Sequence, residues 1–113
     1  MSEPAFDLHR LTQTEETTLR KRFEELTAQW RAATRFLSST TAIAMHPAYQ
    51  QIIGMGPAAL PFILRELDQG SDHWYWALSC ITGANPVPPE QKGQHQKMRE
   101  AWLQWAREQG YTW

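Results

Sequence analysis

From Leu19 to Leu37 the apolar residues are Leu19, Phe23, Leu26, Trp30, Ala33 and Leu37, in steps of four, three, four, three and four. A helical period maps those steps onto one stripe, whereas a strand, with its period of two, scatters them over both faces. The remaining positions include Arg20, Lys21, Glu24, Glu25, Gln29 and Arg31. The stripe therefore needs a partner surface, and the opposite face belongs in water. No Gly or Pro interrupts the run. Thr12 with Glu15 three residues later has the form of a capping box. The polar stretch Ser38-Ser39-Thr40-Thr41 predicts a stop near Leu37. Phe23 and Trp30 are too bulky for the seam of a two-stranded coil, and the run is under three full heptads. This helix is expected to dock on its own domain, with Trp30 as its main anchor.

Proline and glycine divide the rest of the chain. Pro47 suits a first helical turn, where a missing N–H is harmless, and His46 before it is a candidate cap. Tyr49, Ile52, Ile53 and Met55 would face inward, with Gly54 or Gly56 ending that helix. Pro57 opens a third helix to Leu67 or Asp68, in which Leu60, Ile63, Leu64 and Leu67 define one buried face. Pro61 inside it predicts a kink or a tight first turn. Asp72 reads as the N-cap of a fourth helix through Thr82, with Gly83 as its stop. Trp74, Tyr75, Trp76, Ala77, Leu78, Cys80 and Ile81 make that helix apolar nearly all round, which predicts the central, most buried element, with Trp76, Ala77 and Ile81 in the core. A Pro-rich loop at 84–93 precedes a last helix from about Gln94 to Gln109, stopped by Gly110. Period-2 alternation never exceeds four residues, so no sheet is expected. The expected architecture is all-α, a compact single-domain bundle of about five helices over residues 1–113, with 1–11 as a flexible N-terminal segment.

Composition narrows the classes further. One domain is what 113 residues support, and 42% hydrophobic with 20% charged residues is ordinary for a folded protein. A formal net charge of −1 gives no global attraction to nucleic acid or an anionic membrane. The lone Cys80 excludes an internal disulfide and a cysteine-based zinc site, which fits a reducing compartment. No apolar run approaches the ~20 residues of a membrane span, and the start lacks the basic and apolar segments of a signal peptide. A cytoplasmic protein is expected.

Chemistry-bearing patterns are sparse. His9, His46, His73 and His95 form no metal-ligand pair at helical spacing, so scattered surface histidines are expected and no metal or cofactor. His73 and Cys80 could share a helix face, but about 10 Å apart along the axis. Cys80 reads as a small core residue with no base in reach. Gly54-Met55-Gly56-Pro57 lacks the Lys-Ser/Thr of a phosphate loop. Arg20, Lys21, Arg22, Arg31 and Arg35 make the first helix locally basic, yet Glu24 and Glu25 interleave with them, and a solvated face is favoured over a nucleic-acid-reading one. The run Asp72-His73-Trp74-Tyr75-Trp76 is the most informative. Successive helical residues point about 100° apart, so one neighbour cannot cover three rings. A packed core is favoured, with an aromatic anchor for a partner as the functional alternative.

The segment His46 to Gly83 resembles a HEAT-like helical repeat, carried by Ile53-Gly54-Met55-Gly56-Pro57-Ala58-Ala59-Leu60-Pro61-Phe62-Ile63-Leu64, Leu67, Trp76-Ala77-Leu78 and Ile81-Thr82-Gly83. It is also similar to a small bacterial family without an attached activity. The resemblance implies one antiparallel helical hairpin and binding rather than catalysis. The expected function is a non-enzymatic protein-interaction module, such as a small bacterial or phage regulator or inhibitor of another protein. Trp74, Tyr75, Arg20, Arg31 and Arg35 are its candidate partner-binding residues. The alternatives are a nucleic-acid-binding protein using the basic residues of the first helix, and a small enzyme with a site in the loop after Gly83.

Overall fold

Helix α1 covers Gln13–Thr34 and lies along α3. A computed structural model describes residues 13–71 and 73–113. The Thr12 cap, His9 and the segment 1–11 lie outside the described residues, as does Asp72 itself; the helix expected to start behind an Asp72 cap begins instead at Tyr75, with Trp74 at its N-cap. Phe23, Leu26, Thr27, Trp30 and Thr34 are the buried residues of α1, while Ala33 and Leu37 are exposed. This corrects the expected stripe. A strict three-four alternation repeats every 3.5 residues, but a straight helix turns once in 3.6, so the stripe drifts by ~20° per heptad. By the last turn Thr34 has rotated inward in place of Ala33. Its hydroxyl donates to the Trp30 carbonyl at 2.7 Å, so a polar side chain is buried with its bond made. Trp30 is the expected anchor: its ring is 2% exposed and its indole N–H donates to the Ile43 carbonyl at 2.9 Å.

That carbonyl belongs to a helix not anticipated from sequence, α2 at Thr40–Ala44. Ser39 caps it by accepting from the Ala42 N–H, so the residues read as a polar break start a new helix. Helix α3 spans Pro47–Gly54, with the His46 imidazole accepting from the Ala48 N–H at 3.1 Å as its cap. A 3₁₀ turn over Gly56–Ala59 follows, with Gly56 at φ 69°, a left-handed conformation that glycine takes without a Cβ clash. Helix α4 runs Leu60–Asp68 with Pro61 in its first turn, so the proline tightens the helix start and breaks no internal bond. Leu60, Phe62, Ile63, Leu64 and Leu67 of α4 are buried.

Helix α5, Tyr75–Thr82, packs on α3 and α4 and ends at Gly83 in the left-handed conformation. Residues 84–93 contain one 3₁₀ turn at Pro89–Gln91, and Val87 is buried. Helix α6, His95–Glu108, buries Trp102, Leu103 and Ala106 and packs on α4. Among the described residues there are six α-helices and no strand. The expected all-α bundle stands, with one short helix added. No described helix is long and apolar enough to cross a membrane.

The core is centred on Trp74. Its ring stacks on Phe23 at 5.6 Å and on Tyr49 at 5.9 Å and is tilted against Trp30 at 5.0 Å, while its indole N–H donates to Ser71 Oγ at 3.1 Å. Such ring pairs add ~0.5–1.5 kcal/mol each beyond the area they bury.

Candidate functional site

The expectation that α5 is buried all round is corrected by its two faces. Trp74, Ala77 and Leu78 point inward at i, i+3 and i+4, while Trp76, Ser79 and Cys80 repeat the same spacing outward. Trp76 is 38% exposed, Ile81 is half-buried and Cys80 is exposed. Core positions assigned to Trp76 and Cys80 therefore do not hold, while Ile81 packs against the core from its edge. A two-turn helix against a small bundle has neighbours on one side only, so apolar residues on its far side stay in solvent. Trp74 lies just ahead of α5 and is fully buried, so it is a core residue and no contact surface for a partner.

The outward face of α5 forms one wall of a groove of about 740 Å³. The opposite wall is α6, which contributes His95, Met98 and Trp102 at i, i+3 and i+7. Asn85 and Val87 of the Pro-rich stretch, Lys92, Gly93, Thr40 and His73 complete the lining. Tyr75 fastens the two walls. Its hydroxyl donates to the His95 carbonyl at 3.2 Å, and its ring stacks on the His95 imidazole at 6.4 Å. The walls are aromatic and thioether, the polar groups few and spaced. That is the usual constitution of a binding cleft.

His73 sits at the groove edge with φ 72°, the one described non-glycine residue in left-handed backbone. Its holder is Tyr49. The buried Tyr49 hydroxyl donates to the His73 carbonyl at 2.6 Å and accepts from the Ala77 N–H at 2.9 Å. Ala77 is the third residue of α5, whose N-cap makes no side-chain bond, so a tyrosine from another helix supplies the missing cap. Burial pushes the Tyr49 hydroxyl well above the ordinary tyrosine range, the Ala77 bond pulls it partly back, and the nearby Cys80 adds to the rise. The phenol stays neutral, as its donation to the His73 carbonyl requires. Nothing in the sequence marked Tyr49 beyond its inward position; its partners are 24 and 28 residues away.

A smaller hollow of about 320 Å³ adjoins, lined by Trp30, Arg31, Thr34, Arg35, Leu37, Ile43, Ser71 and also His73. Of the basic candidates, Arg20 pairs with Glu16 on its own helix at 3.2 Å. Arg31 pairs with Glu66 and donates to Ser71 Oγ at 2.6 Å, which ties α1 to the end of α4. Arg35 lies over the Phe36 ring at 5.0 Å, and that ring is 89% exposed. The structure thus brings Arg31, Arg35 and Tyr75 to the two hollows and leaves Arg20 away from them.

Ser79, Cys80, His73 and His95 all line the larger groove. The two histidines reach their tyrosine partners through backbone carbonyls, and among the described residues no hydrogen bond joins either imidazole to Ser79 or Cys80. Among the described residues no hydrogen-bonded nucleophile–base pair of the kind covalent catalysis uses lines the groove. No group of three or more His, Cys, Asp or Glu side chains among the described residues could hold a metal. The chain matches no family model, no curated protein and no solved structure.

Proposed function

We propose that this protein is a non-enzymatic interaction module that binds another protein in the groove between α5 and α6. The observation that carries the reading is the outward face of α5. An exposed tryptophan, Trp76, sits on a rigid helix beside a groove of about 740 Å³ with aromatic and thioether walls. Rigid aromatic side chains next to a pre-formed hollow are the residues that dominate protein interfaces, because they bury large area and lose little conformational freedom. The resemblance of 46–83 to a HEAT-like repeat supports the same class of role. A nucleic-acid role draws less support, since Arg20 and Arg31 are paired with carboxylates and the net charge is −1. The protein would act in the cytoplasm as a small regulator or inhibitor.

Cys80 gives a direct test, because it is the only cysteine and faces the groove. A maleimide photo-crosslinker on Cys80 should capture one discrete protein from an extract of the source cells. The adduct should vanish with Trp76→Glu. It should not form from a probe on exposed Ala28 of α1, introduced as Ala28→Cys with Cys80→Ser. Equal capture from both positions, or none from Cys80, would remove the groove as the interaction site.

A further inference from the structure

We infer that the groove selects an extended, acidic segment of its partner protein, in which an apolar anchor residue is flanked by Asp or Glu. This deepens the interaction-module reading and rests on it. The charged side chains lining the larger hollow are Lys92 with the ionisable His73 and His95; those lining the smaller are Arg31 and Arg35, again with His73. Among the described residues no Asp or Glu lines either hollow. Composition does not explain this, because the chain as a whole has 12 acidic and 11 basic residues.

Two observations favour a peptide over a small molecule. The hollows meet at His73, which lines both, and its backbone is held in place by the Tyr49 hydroxyl. A compact ligand fills a single hollow of this size; an extended chain, at ~3.3 Å per residue, is what crosses from one into the other. Exposed apolar side chains also line both hollows, Trp76 in the larger and Leu37 in the smaller. Two hollows that each carry a basic side chain suit one strand of chain: the anchor enters a hollow, and its acidic neighbours meet Lys92 in the larger or Arg35 in the smaller. Arg31 contributes less, since Glu66 already occupies it. Lys92 has no ion-pair partner among the described residues. Charge arranged in this way sets partner choice and association rate more than total affinity.

The experiment is selection from a random peptide library displayed on phage against the full chain, with Trp76→Glu protein as counter-selection. The expected result is a consensus with one aromatic or aliphatic residue flanked by Asp or Glu. A synthetic consensus peptide should bind Lys92→Glu protein ~5–10-fold more weakly, and a peptide with its acidic residues changed to Lys should recover the loss. Lys92 is exposed, and an unchanged melting temperature confirms that the variant is folded. Groove-dependent peptides with neutral or basic flanks, or peptides indifferent to Lys92→Glu, overturn the acidic preference and leave the interaction module standing. Failure to select any peptide whose binding depends on Trp76 overturns both.

Discussion

Trp74 and Trp76 are two residues apart, and the fold uses them in opposite ways. Trp74 is fully buried among Phe23, Trp30 and Tyr49, with its indole N–H bonded to Ser71. Trp76 keeps 38% of its surface in solvent and lines a groove. Helical geometry separates the two side chains by about 200° around the axis, so no single neighbour can cover both. The difference shows that an aromatic-rich run in a small bundle divides by direction: one part holds the fold, the other is left for a ligand. Tyr49 joins the two parts, because its hydroxyl binds the backbone on either side of Trp74.

The sharpest way to break this comparison is to truncate both rings. Trp74→Ala is expected to destabilise the protein by ~3–5 kcal/mol, the range for a fully buried large aromatic. Trp76→Ala should cost about 1 kcal/mol or less, since much of the ring already meets water. Denaturant midpoints decide it, and equal losses would mean that α5 has no outward face.

Tyr49→Phe should come next, at about 1–3 kcal/mol. The ring packing survives, but the buried Ala77 N–H and His73 carbonyl lose their shared partner. A loss under about 0.5 kcal/mol in chemical denaturation would separate the core from the groove edge.

The same hydroxyl predicts an alkaline weakness. Burial raises its folded-state affinity for the proton above that of the unfolded chain, so its contribution is complete below pH ~10. As pH rises past that point the unfolded state ionises first, and stability falls until the folded phenol also ionises. Tyr111 is shifted upward too, by burial, but it is more exposed and its share is smaller. Urea midpoints measured from pH 8 to 11 should fall for the parent and fall less steeply for Tyr49→Phe. Parallel slopes would assign the effect to other groups.

The smallest effect is expected at His73, with the opposite sign. Left-handed backbone costs a non-glycine residue roughly 1 kcal/mol. Glycine removes that cost and adds some unfolded-state freedom, so His73→Gly should stabilise by a few tenths to about 1 kcal/mol. It should weaken binding in the groove, whose two hollows His73 joins. A destabilised His73→Gly protein would show that the imidazole supports the fold as well as the groove.

Local signals in the sequence were read correctly where they acted alone. Pro47 and Pro61 fell in first turns, Gly83 ended α5, and the His46 ring capped α3. Elsewhere one residue class carries two structural meanings. Ser39 and Thr40 counted as a break and began α2. Ala33 continues a pattern of 3.5 that the real period rotates outward, and Cys80 has the size and polarity of a core residue but stands on the outward face of α5. The groove itself had a trace in the spacing, since Trp76, Ser79 and Cys80 repeat at i, i+3 and i+4 with a serine among them. Seven apolar residues between Trp74 and Ile81 masked it.

Spacing along the chain makes it helical, sets both limits of α3 and α6 to within a residue, and buries Phe23 and Trp30 in α1. Those follow from periodicity and from the backbone limits of proline and glycine, which act within a few residues. Packing decides which tryptophan enters the core, which caps come from distant residues, and which side chains line the two hollows with His73. Each of these depends on which surfaces remain uncovered after α1, α3, α4 and α6 have packed. Helical spacing states that an element has two faces; the number of neighbours in the finished bundle settles which of them meets water.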